Sequence, residues 1–387
     1  MSRFHSYINT SIQLLTDYSG KQPFQFHLKT YFGANKKYGS KDRKQIASIC
    51  YQWFRVSHVF DGTMSPDHLA KAVFLCSPAS NAILADIAPE LNERAAYPIV
   101  KKMESLGKSN DKIFPFSDLL SKKIDAQALA LSYLQQPDLF LRARPGKASE
   151  VNRKLKAAEI KFEEKPGDSF ALPNGTKLED IIKLNKDAVI QDMNSQKVLD
   201  QLPGLISADK SIQVWDCCAA SGGKSILVFD KLKGKIKLTV SDIRKSILFN
   251  CLERLQQAGI PVQQQFAADL TAATPLPISA DFDLVICDAP CSGSGTWSRN
   301  PEQLCYFDPG TVAAFSALQK SIVENAAQYL KPGGILVYIT CSLFEKENEA
   351  LLESIDVVAK MEFISSEYLT GYAENSDSMF VSYFRKK

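Results

Sequence analysis

From about residue 190 onward, short apolar runs of strand length alternate with amphipathic stretches of helical length, and that alternation leaves few folds open. The candidate strands are IQVWDCCA (212–219), KLTVSD (237–242), VQQQFAAD (262–269), FDLVICDAP (282–290) and GILVYITCS (334–342). Between the last two, residues 312–330 place Val312, Phe315, Leu318 and Ile322 on one helical face. The KPGG at 331–334 is expected to stop that helix, and SMFVSYFRKK (378–387) reads as a final strand. The pattern predicts an α/β, doubly wound domain with a mostly parallel sheet over 190–387.

The preceding chain is different in kind. Residues 1–125 read as helical: Ser40 can cap a helix whose Ile46, Ile49, Cys50, Trp53 and Phe54 follow the spacing of one buried face. The polar, Pro-containing run SNDKIFPFSD (109–118) breaks the pattern near its end. Residues 126–189 read as a small α+β module, with a strand and turn at 139–146, a helix at 147–159 and a second strand at 160–166. QDMNSQKVLDQL (191–202) is then expected to open the last domain with a helix.

Charge separates these parts too. The net charge is only +3, yet residues 1–57 carry nine Lys and Arg against Asp17 and Asp42, a local +7 that leaves −4 for the rest. A basic segment beside a near-neutral body suits a module that binds a polyanion, with a solvated helical face as the plainer alternative. No apolar run is long enough to span a membrane and the first residues lack a signal-peptide pattern, so the cytoplasm is expected. The nine cysteines show no CxxC pair and read as reduced thiols. All four histidines fall within the first 68 residues, so chemistry further on proceeds without imidazole, and no metal site is expected there.

Chemistry concentrates where the strands end. WDCCAASGGKS (215–225) lies at the turn from the first strand into a helix, where Gly222 and Gly223 let the backbone approach a ligand. A phosphate loop would need glycine at 218, which is Cys218, and that reading fails. Asp242, Asp269 and Asp288 end the next three strands, and carboxylates there face the crevice in which open α/β sheets bind ligands. The glycine turn and the acids together favour a nucleoside cofactor, and the lack of a phosphate grip favours S-adenosylmethionine. DAPCSGSG (288–295) and TCS (340–342) end neighbouring strands, so Cys291 and Cys341 are expected to face each other. A lone strand-end cysteine is usually a packing residue, but two at adjacent ends are hard to explain by packing. Paired thiols suit methylation at C5 of a cytosine: one adds to C6 and makes C5 nucleophilic, and the other assists loss of the C5 proton. Asp288 is the candidate to stabilise protonation at N3 of the base.

These residues resemble a known family. CCAASGGKS, DAPCSGSG, RNPE (299–302), TCS and FEKENEA (344–350) are similar to the RNA 5-methylcytosine methyltransferases of the RsmB–NSUN family over roughly residues 190–387. The resemblance implies a Rossmann-like class I methyltransferase fold with a seven-stranded sheet. It implies Cys341 as nucleophile, Cys291 as the thiol that promotes release, and Lys224 and Asp288 at the active site. S-adenosylmethionine would be held by Cys218, Ala219, Ala220, Ser221, Gly222, Gly223, Lys224, Asp242, Asp269 and Asp288. Residues 26–55 resemble the NusB-like RNA-binding domain of bacterial RsmB, which implies ribosomal RNA of the small subunit as partner, with transfer RNA as the alternative and a monomeric enzyme. Three positions depart from the family pattern: Ser221 stands where a proline is common, Ile247 where a basic residue is common, and RARPG (142–146) where an Arg–Val–Asn-like strand is expected. An RNA-binding assembly factor without activity would be expected to have lost Cys341, Asp288 or the glycine turn, and all are present.

Overall fold

The computed structural model of the chain describes residues 2–207, 210–272, 275–278 and 281–387. It divides into two compact units that do not follow the chain in simple order. The first comprises Met1–Leu120, Ile124–Gln136 and Thr296–Pro309, and the second Ser121–Lys123, Pro137–Gly295 and Gly310–Lys387.

The first unit is built from helices, beginning with α1 (Arg3–Asp17), α2 (Phe24–Ala34), α3 (Ser40–Val56) and α4 (Pro66–Cys76). In α3 the periodic residues Ile46, Ile49, Cys50, Trp53 and Phe54 are all buried, as their spacing requires. Its cap is Gly39 rather than Ser40, because the Asp42 carboxylate reaches back to accept the Gly39 N–H at 2.9 Å and draws Ser40 into the first turn. Arg55, counted above among the cations of this segment, is buried. It donates to the carbonyls of Tyr133 and Gln135 and to Oε1 of Gln136, so it ties down the helix Ala126–Ser132 and is not offered to a polyanion. The other eight Lys and Arg of residues 1–57 are exposed.

The segment Thr296–Pro309 completes this unit. Glu302 accepts the Phe24 N–H at 3.1 Å, the Tyr306 hydroxyl donates to the Tyr18 carbonyl at 3.0 Å, and Trp297 is buried against Phe114, Phe116 and Phe307. The RNPE motif therefore lies in the helical unit, although the sequence pattern groups it with the last domain.

The second unit holds two sheets. The smaller one has four antiparallel strands, β1 (Leu139–Ala143), β2 (Glu163–Lys165), β3 (Ser169–Leu172) and β4 (Ala188–Ile190), in the order β2-β3-β1-β4. The helix Ala148–Ala157 packs on it, burying Val151 and Leu155 in one cluster with Leu141, Phe170 and Leu172. Arg142 and Arg144 of the RARPG turn both reach Asp230, at 2.7 and 2.8 Å, and all three side chains are buried. These arginines join the small sheet to the helix Gly223–Lys231 of the larger one.

The larger sheet has seven strands: β5 (Ile212–Asp216), β6 (Ile236–Asp242), β7 (Val262–Ala267), β8 (Phe282–Asp288), β9 (Leu330–Thr340), β10 (Glu362–Leu369) and β11 (Met379–Arg385). Their order is β10-β11-β9-β8-β5-β6-β7, parallel from β9 to β7, with β11 and β10 closing the other edge antiparallel. The chain runs from β5 outward through β6 and β7, then returns to place β8 on the opposite side of β5. The carboxyl ends of β5 and β8 thus form the switch point at which such sheets bind ligands. The helix Thr311–Gln328 stops before KPGG, which bulges out within β9: Leu330 pairs with Phe282, and pairing resumes at Ile335 with Leu284. The expected helix over 191–202 is broken into the short helices Met193–Lys197 and Leu202–Leu205, the second opened by Pro203. No helix among the described residues is long and apolar enough to cross a membrane.

Removing one member of a buried ion pair strands the remaining charge. Asp230→Ala is expected to destabilise the second unit by about 3–5 kcal/mol, read as a lower urea midpoint with the slope unchanged. An unchanged midpoint would show that the two arginines find other partners.

Candidate active site

The turn after β5 is held on all sides. Gly222 has φ +81°, and a Cβ there would lie 2.9 Å from the Cys251 sulfur, so only glycine fits before the helix Gly223–Lys231 begins. Ala220 adopts φ +44° and donates its N–H to Asp242 at 3.0 Å, while Ala219 donates to the Ser241 carbonyl at 2.9 Å. Ser221 is pinned from outside, because Arg254 donates to both its carbonyl and its hydroxyl at 2.8 Å. The turn therefore keeps its shape without proline.

Two acids lie under this turn. Asp216 ends β5 fully buried. Its Oδ2 accepts the Ser225 hydroxyl at 2.6 Å and its Oδ1 has no hydrogen-bond partner. Burial pushes its carboxyl up to about 7. Sequence reasoning passed over Asp216; its position at the strand end beneath a glycine turn was the available signal. Asp288 ends β8 half-buried and pairs with Lys224 at 2.8 Å. Burial alone would lower the Lys224 ammonium, but the Asp288 carboxylate more than offsets it and holds the proton more tightly than usual.

Asp242 is buried at the end of β6 and already engaged. Besides Ala220, it accepts the Arg244 N–H at 2.9 Å and the Arg244 guanidinium at 3.0 and 3.2 Å. Burial would raise its carboxyl, yet these bonds leave it below its ordinary value. Ile247, where a basic residue is common, is half-buried, and the cation beside Asp242 is Arg244. Asp269 stands apart: it is exposed beyond β7, and its Oδ1 accepts the N–H and hydroxyl of Thr271, which hold the carboxyl below its usual range. The remaining residues suit a cationic nucleoside: a helix N-terminus opened by glycine, no phosphate-gripping loop, and the carboxylates of Asp242 and Asp288.

The two thiols meet. β8 and β9 are parallel neighbours, and the turns beyond them bring the Cys291 and Cys341 sulfurs to 3.4 Å, both half-buried. The bond to Cys341, with burial added, pushes the Cys291 thiol well above its ordinary value. The two turns are stitched together by backbone: Gly295 donates to the Cys341 carbonyl at 2.8 Å, and Leu343 N–H donates to the Ser294 hydroxyl at 2.8 Å. A Cβ at Gly295 would sit 2.1 Å from the Ser378 carbonyl oxygen, so no larger residue fits.

Glu347, from the FEKENEA motif, lies fully buried between the turns. It accepts the Ser292 N–H at 2.8 Å, the Ser292 and Ser342 hydroxyls at 2.5 Å each, and Nε2 of Gln319 at 3.1 Å. Asn348 beside it accepts the Thr340 hydroxyl at 2.6 Å and donates to the Ser342 carbonyl at 2.9 Å. Neither Glu347 nor Gln319 was singled out as a site residue from the sequence. A third feature missed there is that the sulfurs of Cys217, Cys218 and Cys287 lie within 4.8 Å of one another, one short of a tetrahedral thiolate set, with the first and last wholly inside the core.

A mostly parallel seven-stranded sheet closed by an antiparallel pair, with its crevice at the β5–β8 switch point, makes the second unit a Rossmann-like fold of the class I methyltransferase type. Solved structures share it: PH0851 aligns over the whole of both chains with a TM-score of 0.72 at 18% identity. NSun6 from Pyrococcus horikoshii covers 70% of this chain and 96% of its own, with a TM-score of 0.59 at 15% identity. Residues 205–379 match the family model described as 16S rRNA methyltransferase RsmB/F. The probable ribosomal RNA small subunit methyltransferase B of Synechocystis sp. is 29% identical over 239 residues, 60% of this chain and 52% of the relative. Ribosomal RNA small subunit methyltransferase B of Xanthomonas campestris pv. campestris is 33% identical over 177 residues, 43% of this chain and 38% of the relative. The chain thus spans about half or less of the length of these relatives.

If Asp242 is to receive a ribose, the Arg244 arm must first swing away. Arg244→Ala is then expected to bind S-adenosylmethionine at least as tightly as the parent, and Asp242→Ala at least about tenfold more weakly, both read by calorimetry. A loss of affinity in Arg244→Ala would instead make the arginine part of the binding surface.

Proposed function

We propose that this chain transfers a methyl group from S-adenosylmethionine to C5 of a cytosine in RNA, with small-subunit ribosomal RNA as the substrate. The observation that carries this reading is the 3.4 Å approach of two sulfurs beside the glycine turn of a methyltransferase domain. The relatives' names favour ribosomal over transfer RNA.

The chemistry follows from the residues in place. Cytosine C5 is a weak nucleophile. The Cys341 thiolate adds to C6, forming an S–C bond, and the displaced π electrons make C5 enamine-like as N3 takes up a proton from solvent. Asp288 accepts a hydrogen bond from the protonated N3, while Lys224 holds that carboxylate in place. The bound cofactor supplies an electrophilic methyl group to C5. The C5 proton must then leave, and the C5=C6 bond re-forms as the Cys341 sulfur departs as thiolate. Cys291 serves this last step. Once Cys341 is bound to carbon, the hydrogen bond that most strongly raises the Cys291 thiol is gone, so Cys291 can release its proton to solvent and accept the one from C5. The turn Cys218–Gly223, Lys224, Asp242, Asp269 and Asp288 would hold the cofactor, with Asp269 exposed beyond β7 and open to it. The target base must be single-stranded or flipped out to reach these groups.

The helical unit suits RNA through its exposed cations. Arg3, Lys41 and Lys44 line one groove of about 450 Å³, and Lys36 and Lys37 precede α3.

Cys341→Ala is expected to abolish methyl transfer, whereas Cys291→Ala should accumulate enzyme bound covalently to RNA, seen as a slow-migrating band on a denaturing gel. The opposite pattern would reverse the two roles. Replacing Lys36, Lys37, Lys41 and Lys44 together by Gln should lower the log–log salt slope of single-stranded RNA binding by roughly 3. An unchanged slope would make these lysines a solvated face.

A further inference from the structure

Two thiols in contact pose a problem that the thiols cannot solve themselves. They are chemically identical, yet in the reaction proposed above one must attack while the other waits. What surrounds them is not symmetric. Lys224, paired with Asp288, lies on the side of Cys341, whose charge contributes to holding the Lys224 proton. Glu347 takes two of its hydrogen bonds from Ser292, the neighbour of Cys291, and one from Ser342, the neighbour of Cys341, and it contributes to raising the Cys291 thiol. Tyr338, whose hydroxyl donates to the Glu347 carbonyl at 2.7 Å, is the other titratable group facing Cys291.

Glu347 is costly to bury. A carboxylate taken fully out of water loses several kcal/mol of solvation unless its oxygens are satisfied, and here all four donors converge on it. Two come from the turn that carries Cys291, one from the turn that carries Cys341, and one from Gln319, which also donates to the Pro290 carbonyl at 2.9 Å. With four donors on its two oxygens, Glu347 acts here as an acceptor only. Ser292 and Ser342 lie 3.2 Å apart and could bond each other alone, but Glu347 turns both hydroxyls toward itself and so fixes the two turns in register. Tyr338 anchors the Glu347 backbone through its carbonyl, and Asn348 donates to the carbonyl of Ser342.

We infer that Glu347 is a positioning residue that clamps the two cysteine turns together and, as the negative charge beside Cys291, determines which sulfur carries the proton before the RNA arrives. The inference rests on the thiol-pair reading of the site, but its first test requires no RNA. The full chain is alkylated with iodoacetamide from neutral to alkaline pH, and each cysteine peptide is followed by mass spectrometry. In the parent, Cys341 is expected to react at lower pH than Cys291. In Glu347→Gln the Cys291 profile should move to lower pH, toward that of Cys341, while kcat for methyl transfer falls roughly 10²-fold with KM for RNA unchanged. Ser342→Ala keeps the charge and removes one arm of the clamp. It should lower kcat and leave the order of alkylation as in the parent, and it answers the question even if Glu347→Gln does not fold. An unmoved Cys291 profile in Glu347→Gln, or a parental kcat in both variants, overturns the inference. A Cys341→Ala enzyme that still methylates would sink the function proposed above while leaving the alkylation result standing.

Discussion

Sulfur atoms on two different turns stay in contact only if the turns are fixed to each other. Neighbouring parallel strands lie about 4.8 Å apart, and the chains leaving β8 and β9 could diverge at once. They are held by a short backbone ladder through Gly295 and Cys341, by the Ser294 hydroxyl under Leu343, and by the buried carboxylate of Glu347. The narrowness at Gly295 is part of the same device, because any side chain there would push the Ser378 carbonyl and the Cys341 turn apart. The cofactor turn is held in the same manner from the other side, by Arg254 on Ser221, Asp242 on Ala220 and Lys224 on Asp288.

What the sequence made legible in this site is what strand ends display directly. A cysteine after each of two apolar runs, and an acid closing three of them, can be seen without knowing how the strands pair, and β8 and β9 do lie side by side. What it hid acts across the fold. Glu347 sits in a short 3-10 turn whose charged pattern reads as surface, yet tertiary packing buries it completely. Arg55 lies in a run of cations but on the inner side of α3, and Arg142 in β1 and Arg144 just past its end share a partner, Asp230, that is nearly ninety residues away. Asp242 was legible as a strand-end acid, while its engagement by Arg244 was not.

The same division holds for the fold. Six of the seven strands of the large sheet announce themselves as apolar runs. The seventh, β10, does not, because it lies at an edge with most of its residues exposed or half-exposed and alternates weakly. The small sheet was read as two strands because β3 and β4 are only four and three residues long, too short to show a period. KPGG carried a stop signal that is real, since the helix ends before it, but the glycine and proline then form a bulge inside β9 instead of a loop before it.

The route of the chain after Gly295 bears on how the protein is made. Residues 296–309 leave the unit of the seven-stranded sheet to supply Trp297, Glu302 and Tyr306 to the helical unit, and the chain then comes back at Gly310. On the ribosome, the helices at the beginning of the chain emerge early, yet the cover for Phe24, Phe114 and Phe116 is made some two hundred residues later. Until then apolar surface stays open, and closure joins segments far apart in the chain, a slow kind of contact to form. The helical unit thus precedes the large sheet in the chain yet is completed only late, by the same stretch of chain that leads directly out of the Cys291 turn.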